Sequence, residues 1–460
     1  MSDLLIKKEN GWKNENVNRD EVFSFATGYK AFLNSARTER EFAKKAVKAA
    51  ENMGFRPLSS FSSLKAGDKV YSVNRGKGVL LAVIGKEDIE KGINIIGSHI
   101  DSPRLDLKPN PLYEDGDMAL FKTHYYGGIK KYQWTSIPLA MHGTVVLKDN
   151  LAVDIAIGDA SDDITFTISD LLPHLADEQQ KKALYQAIEG ESLNILLGSI
   201  PSADEDEKQP VKAAIMQILF DEYGICEEDF ISAEIEFVPA FDLKDIGFDR
   251  SFVAGPGQDD RVCAYTSLQA IFETESPLKT AVCILVDKEE VGSMGVTGFR
   301  SKFFVDTMAE IANLMTDKYT DLTIRRCFAA STCLSADVCA MHDPNYPSVL
   351  EKNNAAYAGG GIAILKYTGS RGKGGASDAS AELMGKVRNL FNENGVLWQV
   401  TELGKIDLGG GGTISQYVAN LNIDTIDCGV PLLSMHSPYE IASKLDIYMA
   451  YKAYKAFYNN

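Results

Sequence analysis

Histidine and carboxylate residues recur along this chain in a pattern suited to divalent metal chemistry. They are His99 and Asp101 in SHIDSP, Asp259 and Asp260 in GQDDR, Glu289 and Glu290 in DKEEVG, Asp337 in LSADV, and His436 in SMHSP. Most follow short apolar runs that read as buried strands. Ligands gathered from separate strand ends, with one spare carboxylate to handle a proton, are what a two-metal hydrolase requires. The chain has six histidines in all, so such a site must be rich in carboxylates.

Each group also has a plainer reading. His99 follows the run 93–98, which would put its ring at the carboxyl edge of a sheet, where open α/β sheets hold ligands. Asp101 can accept the proton on the far ring nitrogen and fix the tautomer. A lone histidine is more often structural, and the H-x-D spacing is what favours the metal. Asp259 is placed to bridge two metals roughly 3.5 to 4 Å apart. Asp260 reads as a cap on the helix that follows, and both aspartates fit a turn equally well. Glu289 and Glu290 come directly after the apolar AVCILV and are costly to bury without a partner. Neighbours point different ways, so one can bind metal while the other acts as general base; a surface strand end is the alternative. Asp337 again follows an apolar segment, with His342 as a rival ligand. His436 can ligate only if its turn faces the site. Pro438 then reads as the start of a final helix, with Glu440 capping it. Gly409–Gly412 is either a backbone contact to substrate or a chain reversal, and no P-loop lysine follows it.

The elements that must position these groups read as α/β. Residues 37–52 have amphipathic helical periodicity closed by Gly54. LLAVIG, INIIGSHID and TAVCILVDKEEVG are strand-like, with helix-like segments at 261–273, 303–317, 377–395 and 438–457. Between about 110 and 245 the pattern changes to short alternating segments, a helix across LLPHLADEQQKKALYQAIEG, and the polar SADEDEKQP. This middle reads as an antiparallel domain inserted at 109–245 into an α/β domain formed by 1–108 and 246–460.

Composition excludes other classes. A net charge of -17 over 460 residues argues against a nucleic-acid binder, which needs a basic face. No apolar segment approaches the roughly 18 to 20 residues that span a bilayer. The N-terminal stretch MSDLLIKKENGWKNEN is too polar for a signal peptide. Seven cysteines without a CxxC ladder read as buried free thiols in the cytoplasm.

The segments SHIDSPRLDLKPNP, GQDDRVC, DKEEVGSMG, LSADVCAMHDPNYP, GGGGTIS and PLLSMHSPYE span almost the whole chain in order. Their combination resembles the M18 metallopeptidases, the aspartyl aminopeptidases with their vacuolar and bacterial relatives. The resemblance implies an α/β/α zinc-peptidase domain of mixed sheet, carrying an inserted, mainly β dimerisation domain. It implies release of the N-terminal residue from peptides with a free N-terminus by two zinc ions, replaceable by cobalt or manganese. His99 and Asp337 would hold one zinc, Glu290 and His436 the other, and Asp259 would bridge them. Glu289 would be the general base and Asp101 would orient His99. His142 would serve the active site of a neighbouring subunit, and Lys366 the substrate pocket. Dimers would build a tetrahedral homododecamer. RGKGGASDASAE departs from the aspartyl-specific pattern, so the first residue can be acidic or neutral. A related dizinc carboxypeptidase or N-deacylase is the alternative.

Overall fold

The computed structural model describes residue 4 and residues 9–159, 163–204 and 206–460. The reading of the N-terminal stretch as too polar for a leader falls in part on residues 1–3 and 5–8, which lie outside the described residues, as does residue 205 of the polar 202–210 stretch. The chain folds into two compact units. One comprises 1–101, 243–435 and 440–460; the other comprises 102–242 and 436–439.

The first unit is organised by strands with apolar side chains on both faces. In Thr280–Val286, Ala281, Cys283 and Leu285 enter one core, and Val282, Ile284 and Val286 enter another. The strict alternation of a strand sends successive residues to opposite faces. Because both faces are covered, the strand reads as one continuous apolar run. Helices Glu39–Asn52, Gln258–Phe272 and Lys444–Tyr458 contribute to the first core, and Phe303–Met315 and Asp321–Ala329 to the second. This is an α/β/α sandwich.

Its mixed sheet has nine strands, in the order Arg56–Pro57, Lys69–Asn74, Gly78–Val83, Thr280–Val286, Ile93–His99, Thr332–Ser335, Asp424–Gly429, Ile362–Leu365, Trp398–Val400. The central four, from Thr280–Val286 to Asp424–Gly429, are parallel. Their register sets Val286 beside His99, and Ser335 beside both Gly97 and Asp427. All four therefore end at one edge. A five-stranded sheet in the same unit joins Lys244–Ile246, Phe252–Gly255, Glu440–Ser443, Pro431–Leu433 and Cys339–Ala340.

The amphipathic helix read at 37–52 runs over Glu39–Asn52. Thr38 and Glu41 form a capping box, and Phe42, Ala43, Ala46 and Ala50 are buried. The final helix begins later than read, at Lys444. Pro438 does not open it, and Glu440 lies in a strand instead of capping a helix of its own.

Asp446, in the first turn of the final helix, is fully buried and accepts from the amides of Gly359 (2.9 Å) and Gly361 (2.7 Å). Burial raises its pKa to about 7, against those hydrogen bonds, which lower it. A carboxyl whose pKa rises on folding stabilises the fold while it is protonated. That contribution is complete below about pH 4 and is lost as pH climbs through the folded value. The metal-free chain should therefore melt lower at about pH 8 than at about pH 5, and Asp446→Asn should flatten the difference. Equal slopes in thermal melts of the two chains would remove Asp446 as the cause.

The second unit holds a six-stranded antiparallel sheet, ordered Ala152–Ile157, Leu139–Val146, Ala233–Pro239, Arg104–Asp115, Met118–Tyr126, Asn194–Gly198. The helix expected across 171–190 is broken into Pro173–Leu175, Asp177–Lys181 and Leu184–Ala187. Leu171, Leu172, Leu175, Leu184 and Tyr185 are exposed. With no core for its apolar face, a helix of this length loses most of its stabilisation. A regular helix instead spans Pro210–Tyr223, with proline at its start and Gly224 left-handed at its end.

Candidate metal centre

His99 is the last residue of its strand and is buried. Its Nδ1 lies 3.0 Å from the Asp101 carbonyl oxygen and 3.3 Å from Asp101 Oδ1, so the proton belongs on that nitrogen. Nε2 is left to face Asp259 Oδ1 at 3.2 Å and Asp337 Oδ1 at 3.9 Å. A carboxylate behind the far nitrogen is the usual support of a metal-binding imidazole.

Asp101 does a second job. Its carboxylate accepts from the amides of Glu289 (3.1 Å) and Glu290 (3.3 Å). The chain reaches those amides through Lys288, whose left-handed φ of 69° turns it off the strand into the short helix Glu289–Val291. One buried aspartate thus fixes both the histidine and the Glu-Glu turn. Beneath the turn, Asp287 accepts from the Thr297 hydroxyl at 2.6 Å. Burial, with Glu39 and Asp101 adding, pushes its pKa to about 6.

Asp259 and Asp260 stand at the start of helix Gln258–Phe272. Asp260 does not cap that helix as expected. Its Oδ2 accepts from the His99 amide at 3.3 Å, and its buried carboxylate also takes the Cys263 thiol. Asp259 and Asp260 have non-helical backbone, and the amides ahead of this kink, Gln258 (2.6 Å) and Asp259 (3.1 Å), donate to Glu440 Oε2.

Two groups of donor atoms result, each within 4.8 Å of one another: His99, Asp260 and Asp337, and His99, Asp259 and Glu290. The electrostatics ask for a cation. Burial drives Asp337 well above the usual carboxylate range; His99 opposes this, and Glu289, Asp259 and Asp427 add to it. Burial raises Asp260 likewise, with Asp337 contributing. Burial tends to lower His99, but its hydrogen bonds to Asp101 and Asp259 prevail and hold it well above its ordinary value. Protons thus do what a metal would do better, since coordinated carboxylates and imidazole are deprotonated ligands. Carboxylate oxygens with one imidazole suit a hard or borderline divalent ion.

The other candidates are placed as follows. His436 belongs to the second unit with 437–439, takes a left-handed φ of 64°, and points Nδ1 at the Gly128 carbonyl oxygen, 2.9 Å away. It is in neither donor group. His342 stacks near Tyr357, with ring centroids 5.0 Å apart, and joins neither group. His142, in the strand Leu139–Val146, is fully buried with Nε2 3.3 Å from Asp159. Lys366 follows the strand Ile362–Leu365, is 41% exposed at its side chain, and pairs with Asp378 at 2.7 Å. Gly410 and Gly411 pair with Ser370 and Gly369. A Cβ on Gly409 would sit 1.9 Å from the Leu403 carbonyl oxygen, so close chain packing accounts for this turn. Sequence reasoning gave Asp260 a capping role in place of a seat in the cluster, and missed Glu440 as the acceptor for the Gln258 and Asp259 amides. The doubled aspartate was the only visible signal for the first, and nothing local signalled the second.

A buried histidine backed by a carboxylate, ringed by acidic groups at the carboxyl edge of an α/β/α sheet, defines the class of metal-dependent hydrolases. Residues 32–458 match the Aminopeptidase I zinc metalloprotease (M18) family. The probable M18 family aminopeptidase 1 of Clostridium acetobutylicum is 52% identical over 464 residues, covering 100% of both chains. That of Thermotoga maritima is 44% identical, covering 98% of this chain and 99% of its own. A crystal structure of an M18 aminopeptidase from Thermotoga maritima superposes with a TM-score of 0.96 at 43% identity, covering 99% of this chain and 100% of that one. Aminopeptidase I from Clostridium acetobutylicum gives 0.93 at 48% identity, with 99% and 100% covered. The chain belongs to the M18 family and is a metalloaminopeptidase with the fold of its relatives. Among the described residues, no helix is long and apolar enough to cross a membrane.

Proposed function

We propose that two zinc ions are held here, one by His99 and Asp337, the other by Glu290 and His436, with Asp259 between them. The observation that carries this reading is the convergence of His99 Nε2 with Asp259 and Asp337, beside the Glu289–Glu290 turn fixed by Asp101. His436 enters on its motif. When bound, a divalent pair supplies a lowered water pKa and a Lewis acid for the scissile carbonyl. Glu289 takes the proton of the attacking water and returns it to the leaving amine. Asp101 keeps the Nδ1 proton of His99 in place throughout.

The rival carboxypeptidase reading needs a cation for the substrate carboxylate, and Lys366, which shares Asp378 with Lys373, is the group it would use; cleavage of free-amine against N-acetylated substrates separates the two. Lys366 is assigned to the substrate pocket, and His142 to a neighbouring subunit's site, on motif. The His142 ring presents no exposed surface in this chain. The first residue released is acidic or neutral, and cobalt or manganese can stand in for zinc. Self-association through 109–245 into dimers and a tetrahedral dodecamer is part of the same reading. The yeast mApe1 dodecamer shares the fold at 21% identity. Seven free cysteines suit the cytoplasm.

The test is a panel of aminoacyl and N-acetylated dipeptides with defined metals. Free-amine substrates should be cleaved and acetylated ones spared. Chelation should abolish turnover, and zinc should restore it with two ions bound per chain. Equal cleavage of both substrate sets, or undiminished turnover after complete metal removal, would defeat the reading.

A further inference from the structure

Glu440 is four residues beyond His436, yet its side chain serves Asp259. It is 1% exposed, opens the strand Glu440–Ser443, and pairs in register with Gly255. Its carboxylate takes both the Gln258 and Asp259 amides, and its own carbonyl oxygen accepts from Gln258 Nε2 at 2.7 Å. Gln258 Oε1 in turn accepts from the Tyr29 hydroxyl at 3.1 Å. On the other side, Arg261 donates from Nε to the Gly257 carbonyl oxygen (2.8 Å). Its NH1 group reaches the carbonyl oxygens of Ala36 (3.0 Å) and Arg37 (2.6 Å). Gly257 must be glycine: φ is +65°, and a Cβ there would sit 1.4 Å from Arg261.

The Gly255–Arg261 turn is thus held by buried polar contacts, and Glu440 accepts from the amide of the residue that faces His99. The charge of Glu440 is accompanied in the buried shell by the Arg261 guanidinium, whose charged form it favours; what is particular to Glu440 is that one oxygen reaches both amides. Its location makes sense if the position of Asp259 matters to function.

We propose that Glu440 is a positioning residue for metal binding, setting the Asp259 carboxylate against His99 through the Gln258 and Asp259 amides. This rests on the metal assignment above. Partners behind a ligand typically change metal affinity by about 10- to 100-fold. Glu440→Ala should weaken zinc binding by at least about 10-fold. Glu440→Asp keeps the charge but withdraws the acceptor by one methylene, and should also bind more weakly than wild type. Glu440→Gln retains an oxygen at the same reach and should recover most of the affinity.

The measurement is zinc affinity by competition with a fluorescent chelator, on full-length chains whose metal-free melting shows them folded. If the alanine variant does not fold, the aspartate and glutamine pair decides. Folded aspartate and alanine variants that bind zinc as tightly as wild type would overturn the positioning role. So would a glutamine variant as weak as the aspartate one. Failure of the wild-type chain to bind zinc would instead defeat the metal assignment itself.

Discussion

Glu289→Gln should lower kcat by about 10²- to 10⁴-fold, the usual worth of a general base, while zinc content stays at the wild-type level. The backbone at this position is held by Asp101 through the amides of residues 289 and 290, and the substitution leaves both bonds intact. Glutamine matches the shape of glutamate but cannot take a proton. The charge of Glu289 also helps raise the pKa of Asp337. Removing it favours the ionised form of Asp337 but also takes a negative charge from beside the metals, so the two effects oppose and metal content should change little. Turnover and metal content, measured on one preparation, separate loss of the base from loss of metal. A variant that keeps near wild-type kcat at saturating zinc would show that the proton goes elsewhere.

How far this site could be read from sequence depended on whether a residue's role was set by its neighbours in the chain. His99, Asp337 and the Glu289–Glu290 pair were visible because each follows an apolar run that is buried on both faces of the sheet. Such a run must end at an edge, and polar residues there are conspicuous. Asp101 was legible from its two-residue spacing. The grip of Asp101 on the Glu-Glu amides was not, because it joins residues 188 positions apart. Glu440 was misread for a similar reason: a glutamate shortly after a proline looks like a local cap, but the amides it takes lie 182 and 181 positions earlier. In the second unit, the leucines of 171–184 suggested one helix, yet they meet no core and the segment breaks. Pro210 and Gly224 bracket the helix that does form, and those two residues could have revealed it.

His99→Ala should be as damaging to turnover as the loss of Glu289, but by a different route, because His99 is common to both groups of donor atoms. Each group would be left with carboxylates alone, and fewer than two zinc ions per chain should remain bound. The metal-free chain should suffer too. In it, the imidazole is the cation that offsets Asp101, Asp259 and Asp337. Its pKa is raised on folding, with the carboxylate hydrogen bonds overcoming burial. The stability it supplies is therefore complete below its unfolded pKa of about 6.5, and fades only as pH rises through its higher folded value. At about pH 6 the metal-free variant should melt well below the metal-free parent, and the gap should narrow in alkali. Zinc should raise the melting temperature of the parent, because it binds the folded chain, and should do little for the variant. Differential scanning calorimetry with and without zinc, across pH, reads all of these together. A variant that retains two ions, or whose metal-free melting matches the parent at acid pH, would mean that His99 neither binds the metal nor balances the carboxylates around it.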